Sequence, residues 1–210
     1  MPVYSDKAIL EALENGILSI EPLHLNNIQP ASIDLTLGDK VETLLPGEID
    51  LASPDMEDIK QRTQTHDIRS GFRLEPNTYV VGYTAEYLKF STFINGRIDT
   101  RNSLARCGLD ISAGSYINPG FEGHMPLVIR NLGSSSLVLH PGIRICQLEI
   151  FMLTGQSIRN YDNRHDLSKL AGQVSGNTFH DALQSDVSGD NPLAKFLDER
   201  IAAVARERWM

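Results

Sequence analysis

The chain has 210 residues, of which 41% are hydrophobic and 22% charged, values that are ordinary for a folded domain with a real core. A formal net charge of -8 argues against a general binder of nucleic-acid backbones, although a small phosphorylated ligand needs only a few local arginines. No apolar run approaches the roughly 18 residues of a membrane span, and the first residues lack the pattern of a signal peptide. We therefore expect a cytoplasmic protein with no membrane or nucleic-acid partner.

The first predicted element is a short helix over residues 5–15. Ser5 or Asp6 can cap its start, and Asn15-Gly16 is typical of its end. The apolar stripe of this helix is expected to consist of Ile9, Leu10 and Leu13.

Strands are predicted after the helix. The segment ASIDLTL alternates apolar Ile33, Leu35 and Leu37 with polar residues, which is the period-2 pattern of a half-buried strand. The segment GDKVETLLPGEIDL predicts two strands around a Pro-Gly turn, and the polar residues 52–71 predict a long surface loop.

Between residues 72 and 152, short strand patterns alternate with turn signals every 8–12 residues, which predicts an all-β barrel or sandwich. Residues 156–190 are polar and rich in Gly, Asn and Ser, and we expect a tail there. A helix is predicted over 191–209, where Asn191 can act as the cap. The expected division is thus a barrel domain (1–155), a tail (156–190) and a C-terminal helix (191–210).

Several enzyme signatures are absent from the sequence: a Walker phosphate loop, GxGxxG, GxSxG and the zinc-deaminase HxE with PCxxC. The two cysteines form no CxxC and the six histidines are scattered, which argues against a structural metal site. We expect two buried reduced thiols. The cluster Arg101-Asn102-Ser103 with Arg106 can cradle an anion, because guanidinium groups, a hydroxyl and loop N–H groups match phosphate oxygens. A solvated basic turn is the alternative.

Other polar positions are less informative alone. Asp34 on its apolar strand is expected to be solvated, and Arg144 and Gln147, three residues apart on a strand, are expected on opposite faces. Lys169 and Gln173 lie in the polar tail, where a solvated loop is the simplest interpretation.

Five blocks in order resemble the dCTP deaminase and trimeric dUTPase superfamily, with dCTP deaminase the nearer of the two. They are QPASIDLTLG (29–38), GYTAEYLKF followed by TRNSLARCGL (82–109), YINPGFEGHMPLVIRN (116–131), PGIRICQLEIF (141–151) and SKLAGQVSGNT (168–178). The resemblance implies a distorted β-barrel of the β-clip type, a homotrimer with sites at subunit interfaces, and zinc-independent conversion of dCTP to dUTP. It also implies Mg²⁺ carried on the triphosphate and a C-terminal tail that covers the nucleotide.

The resemblance also implies roles for single residues. Phosphates would be held by residues of the arginine cluster, of the block 141–151 and of the tail. These residues are Arg101, Ser103, Arg106, Gln147, Lys169 and Gln173. Asn102 stands where the deaminase usually has Ser. Tyr161 would stack near the base or sugar, and Asp34 would support the site.

Two positions depart from the family pattern. Val128 stands where the deaminase has the Glu that shuttles protons at the cytosine ring, and Asn118 stands where the dUTPase has its water-activating Asp. An amide can hold a sugar hydroxyl but cannot take a proton near neutral pH, and Val can do neither. The nearest candidates for a substitute acid or base are Glu122 and His124, of which His124 is expected on the same side of the strand as Val128.

Three hypotheses follow: a dCTP deaminase-like enzyme, a nucleotide-binding homologue without chemistry, and an enzyme with altered activity on a modified pyrimidine nucleotide or a dUTPase-type pyrophosphatase activity. In each of them the ligand is a deoxypyrimidine nucleoside triphosphate.

Overall fold

The computed structural model describes residues 2–157. Within this range the helices are α1 (Asp6–Glu14), α2 (Met56–Arg62) and α3 (Asn102–Ala105), with a 3-10 turn at Leu25–Asn27. The strands are β1 (Leu18–Glu21), β2 (Ile28–Gln29), β3 (Ser32–Leu44), β4 (Thr63–Asp67), β5 (Phe72–Leu74), β6 (Tyr79–Phe90), β7 (Ile94–Thr100), β8 (Leu109–Asp110), β9 (Tyr116–Ile117), β10 (Glu122–Asn131), β11 (Leu137–Leu139) and β12 (Arg144–Met152). None of these helices is long and apolar enough to cross a membrane. The predicted helix over 191–209 lies outside the described residues.

The strands form one large antiparallel sheet that curls into a half-barrel. Its order is β8-β10-β6-β3-β12-β7-β9, with β1 added to β6, and β2 and β4 added to β3, while β5 and β11 form a separate pair. The sheet curls enough that the backbone N–H of Ile111, just after β8, donates to Thr100 Oγ1 at the end of β7 (2.7 Å). The predicted all-β, barrel-like fold is confirmed.

The core lies inside this curl. Ile33, Leu35 and Leu37 of β3 are fully buried, as their alternation predicted. On β10 the buried residues Leu127 and Ile129 alternate with partly exposed ones in the same way. Burial of such side chains contributes about 1.5–3 kcal/mol each, so the β-strand pattern stabilises the barrel.

Helix α1 begins and ends where the sequence predicts. Ser5 Oγ accepts from the N–H of Ala8 (3.4 Å), Asn15 is the C-cap and Gly16 has a φ of 66°. The predicted apolar stripe was partly wrong: Ile9 is buried, whereas Leu10 is 42% exposed.

The predictions for residues 45–71 were wrong in two respects. No strand follows the Pro46-Gly47 turn; and the polar segment after it, expected to be a loop, forms α2 and β4. Asp55 caps α2 by accepting from the N–H groups of Glu57 and Asp58, and Ile59 is buried. Strand β4 is polar because it pairs with the outer end of β3 and covers little of the core.

The two cysteines differ. Cys146 is buried on β12, where burial raises the pKa of its thiol, with smaller contributions from the charges of Glu86 and Asp34. Cys107 is exposed after α3, so the expectation that both thiols are buried was wrong for that residue. The turn that follows Cys107 needs glycine, because Gly108 has a φ of 89° and a Cβ there would lie 2.5 Å from the backbone of Gly133.

Candidate functional site

The arginine cluster lies where β7 ends and the short α3 begins. Arg101 precedes the helix and its carbonyl accepts from the N–H groups of Leu104 and Ala105 (2.9 and 3.0 Å). Asn102, Ser103 and Arg106 are exposed, while Arg101 is partly buried. The fold thus presents a hydroxyl, an amide and a guanidinium group to solvent, beside a second arginine that points inward.

The inward partner of Arg101 is Asp34, whose side chain is fully buried on β3. Asp34 Oδ2 lies 3.2 Å from Arg101 Nη2, 3.3 Å from Arg144 Nη1 and 3.4 Å from Gln29 Nε2. Its Oδ1 atom has no hydrogen-bond partner among residues 2–157. The expectation that Asp34 is solvated was therefore wrong, because two guanidinium groups compensate its buried charge.

The expectation for Arg144 and Gln147 was also wrong. The pairing of β12 with β3 shifts between Arg144 and Cys146, and the consecutive residues Ile145 and Cys146 are both buried. As a result Arg144 reaches Asp34, and Gln147 lies opposite Asp34 in the ladder with its Nε2 donating to Ser32 Oγ at 3.5 Å. A β-bulge thus brings both polar side chains to one place.

A second buried carboxylate, that of Glu86, lies next to this region on β6. It accepts from the backbone N–H of Thr36 (2.9 Å to Oε2) and from Thr36 Oγ1 (2.7 Å to Oε1). It is 3% exposed and fills the hydrogen-bonding gap left by the irregular pairing of β3 with β6. The sequence analysis gave it no role, although Glu86 shares the alternation of the buried residues Leu88 and Phe90, which was a usable signal.

Val128 is partly exposed on β10, on the same face as Pro126 and Arg130, and pairs with Val81 of β6. Asn118 is also partly exposed and follows β9, whose residue Ile117 pairs with Gly96 of β7. No acidic side chain stands at either position, as the sequence indicates.

Glu122 and His124 are both engaged by neighbouring residues. Glu122 accepts from Lys89 Nζ (3.0 Å) and Tyr87 OH (3.3 Å). His124 Nδ1 lies 2.9 Å from the carbonyl oxygen of Thr84, which makes Nδ1 the protonated nitrogen of the neutral ring and leaves Nε2 as its basic atom. His124 lies four positions before Val128 on β10, which corresponds to about 13 Å along the strand. The catalytic roles predicted for Glu122 and His124 stay predictions.

A polar group that the sequence analysis missed lies beside Val128. Arg130 pairs in register with Asp110 of β8, and its Nε and Nη2 both donate to Asp110 Oδ2, the Nε bond measuring 2.8 Å. Ser112 Oγ donates to Asp110 Oδ1 (2.8 Å). The three residues lie up to 20 positions apart in the chain, so no local motif signals them.

Tyr161, Lys169 and Gln173 lie outside the described residues, and their predicted roles stay predictions. Within residues 2–157 no group of three or more His, Cys, Asp or Glu could hold a metal ion.

The fold and the site together define a class of curled all-β proteins in which an arginine pair lies over a buried carboxylate, and comparison with known proteins narrows that class. A family model described as dCTP deaminase-like matches residues 3–153. A dUMP-forming dCTP deaminase of Methanobrevibacter smithii is 34% identical over 180 residues, 83% of this chain and 92% of the relative. One from Persephonella marina is 34% identical over 149 residues, 70% of this chain and 81% of the relative.

The chain therefore belongs to the dCTP deaminase-like family. Among solved structures, the 2'-deoxycytidine 5'-triphosphate deaminase of Agrobacterium tumefaciens is similar in fold, with a TM-score of 0.56 at 22% identity. That match covers 80% of this chain and 52% of the Agrobacterium chain.

Proposed function

We propose that the protein acts in deoxypyrimidine nucleotide metabolism by binding a deoxypyrimidine nucleoside triphosphate at the arginine cluster. The observation that carries the proposal is the convergence of Arg101 and Arg144 on the buried Asp34, with Ser103 and Arg106 exposed beside them. Guanidinium forks that a buried carboxylate orients are well suited to phosphate oxygens. The relatives named as dCTP deaminases support a pyrimidine base.

The same proposal includes a homotrimer whose sites lie between subunits. Because Ile117 pairs with Gly96, Asn118 falls opposite Asn95, six residues from Arg101 along β7. That is about 20 Å of strand, more than the distance from the sugar to the phosphates of one nucleotide. A site that uses both residues therefore draws them from two chains. Native mass spectrometry is expected to give a trimer, and a purely monomeric protein would contradict this part of the proposal.

Mg²⁺ would enter with the triphosphate. In the described part of the chain, residues 2–157, the site offers one carboxylate oxygen without a hydrogen-bond partner, Asp34 Oδ1, which fits an ion held mainly by phosphates and water. The ion would neutralise phosphate charge, while Arg101, Arg144 and Asp34 fix the position of the phosphates.

Calorimetry with dCTP, dUTP and dTTP in the presence of Mg²⁺ tests the binding. We expect the wild type to bind at least one of them and Arg101→Ala to weaken binding about tenfold or more, since charge-assisted hydrogen bonds contribute about 1.5–3 kcal/mol. The matched control is Arg69→Ala, which removes an exposed arginine paired with Asp39. No binding to any of the three nucleotides would overturn the proposal.

Deamination of dCTP to dUTP is the second candidate, favoured by family membership and opposed by Val128. A positioned acid or base contributes about 10²–10⁴-fold in rate, so an intact reaction needs a substitute. Incubating the protein with each deoxynucleotide while measuring ammonia and pyrophosphate decides whether it turns over. If it does, a His124→Ala variant with full activity would exclude the histidine as that substitute.

A further inference from the structure

Arg130, Asp110 and Ser112, here called the Arg130 cluster, form a fixed polar group on the partly exposed face of the barrel. Asp110 accepts two N–H groups of Arg130 on one oxygen and the hydroxyl of Ser112 on the other. Burial raises the pKa of the Asp110 carboxyl, but the hydrogen bonds from Ser112 and Arg130 and the charge of Arg130 outweigh it and lower that pKa. The carboxylate therefore stays ionised, and the guanidinium group is held in one orientation.

The Arg130 cluster lies close to the arginine cluster in the same chain. Ile111 directly follows Asp110 and donates its N–H to Thr100, the residue before Arg101. Standard backbone geometry then limits the separation of the Asp110 and Arg101 Cα atoms to about 12 Å. One nucleotide can span this distance, with phosphates at Arg101 and its base at Arg130.

The surroundings of Arg130 suit a flat ring. Tyr79, which is 46% exposed, lies opposite Arg130 in the pairing of β6 with β10. Val128 lies two residues away on the same face, about 7 Å along the strand. An aromatic residue and an apolar residue thus neighbour Arg130 on the same face of the sheet.

The free hydrogen-bonding capacity of the cluster is uneven. Among residues 2–157, Arg130 finds acceptors for two of its five N–H donors, and its side chain is 40% exposed. Asp110 accepts two N–H groups of Arg130, the hydroxyl of Ser112 and the backbone N–H of Ser112, which together fill about the four positions that a carboxylate offers, and it is 21% exposed. Among the described residues, the cluster therefore offers a ligand several hydrogen-bond donors but few acceptors. The side chain of the neighbouring Val128 supplies no acceptor.

We propose that the Arg130 cluster binds the pyrimidine base and favours a base with two ring carbonyls, uracil or thymine, over cytosine. Uracil offers two carbonyl acceptors for the remaining donors of Arg130, and it brings a single ring N–H to a site where the acceptor positions of Asp110 are filled. Cytosine also offers two acceptors, its O2 and N3, but its amino group brings two N–H donors, one more than uracil, to a partly desolvated site without a free acceptor for them in the described part of the chain. The proposal rests on nucleotide binding at the arginine cluster.

The test is calorimetry of the full chain with the α,β-imido analogues of dUTP and dCTP and with inorganic tripolyphosphate. The imido bridge prevents cleavage between the α and β phosphates. We expect the uracil analogue to bind about tenfold more tightly than the cytosine analogue. Arg130→Met is expected to abolish this preference while leaving tripolyphosphate affinity unchanged. Arg130→Lys keeps the charge but lacks the planar fork, and it is expected to lose most of the preference as well.

The chain supplies a matched control in Arg73, whose Nε donates to Glu75 (2.6 Å) and whose Nη2 donates to Ser136 (2.8 Å). Arg73→Met removes the same chemistry from the β5–β11 region and is expected to keep the preference for uracil. Equal binding of both analogues, tighter binding of the cytosine analogue, or a preference that survives Arg130→Met would each overturn the proposal. Failure of every nucleotide and of tripolyphosphate to bind would instead remove the proposed function itself.

Discussion

The two ends of the candidate site differ in how they are built. At the arginine cluster, Arg101, Ser103 and Arg106 follow the pattern that the resemblance implies, and the buried Asp34 pairs with both Arg101 and Arg144. At the other end, Asn118 and Val128 stand where the two family acids are expected, and an Arg–Asp–Ser group lies beside Val128 instead. The proposed phosphate-binding residues and the proposed base-binding residues thus lie on different strands, so their roles can be tested separately.

The end of the site that contains Asn118 and Val128 is here called the altered end. The largest expected effect comes from restoring an acid there. In Val128→Glu, ammonia release from dCTP is expected to rise at least about 100-fold over the wild type, because a positioned acid or base supplies about 10²–10⁴ in rate. The matched control is Val128→Gln, which has the same shape but carries no titratable proton and is expected to stay at the wild-type rate. Similar rates for the two variants would show that the altered end lacks more than this carboxyl group.

The next effect concerns the other end of the site, where Asp34 pairs with Arg101 and Arg144. Asp34→Asn removes a buried charge and leaves two neighbouring guanidinium groups uncompensated, and the free energy of unfolding is expected to fall by about 1–3 kcal/mol. This lies below the values for fully buried pairs, because Arg101 and Arg144 are 25% and 45% exposed. Urea unfolding measures it. A tripolyphosphate-induced gain in stability that is larger in the variant than in the wild type would support the phosphate role of the two arginines. An unchanged free energy of unfolding would contradict the stabilising role of Asp34.

The smallest effect is a pH dependence at the altered end. Because the pKa of Asp110 is lowered in the folded state, its ionised form contributes stability above the ordinary aspartate pKa of about 3.9, and this contribution is lost as the pH falls through the lower folded value. The difference in unfolding free energy between the wild type and Asp110→Asn is expected to be below about 1 kcal/mol at pH 6 and to shrink below pH 4. Urea unfolding across this range measures it, and a difference that grows on acidification would contradict the assignment.

Sequence patterns predicted the regular parts of the fold. The alternation of Ile33, Leu35 and Leu37 and the capped helix α1 depend on neighbours within a few residues, and such patterns are local. Helix α2 and strand β4 were missed because their formation depends on a cap at Asp55 and on pairing with β3, neither of which an apolar pattern reveals.

The site was predicted in part. Its arginine cluster is contiguous in sequence and could be found there, whereas the burial of Asp34 depends on Arg144, which is 110 residues away. The bulge that brings Arg144 and Gln147 to one place breaks strict strand alternation, and no periodicity argument allows for it. The contact between Arg130 and Asp110 likewise exists only once β8 pairs with β10.

The hydrogen bond from the Thr36 amide to the buried Glu86 carboxylate gives the molecule an internal spectroscopic reporter. An amide proton donated to the carboxyl group of a residue that is 3% exposed is shielded from water, so it exchanges slowly. Thr36 lies two residues from Asp34 on the same strand, so its NMR signal would register ligand arrival at the arginines without any label at the site. The same signal would disappear early in unfolding if β3 and β6 separate first, which makes one backbone proton a probe of both occupancy and barrel integrity.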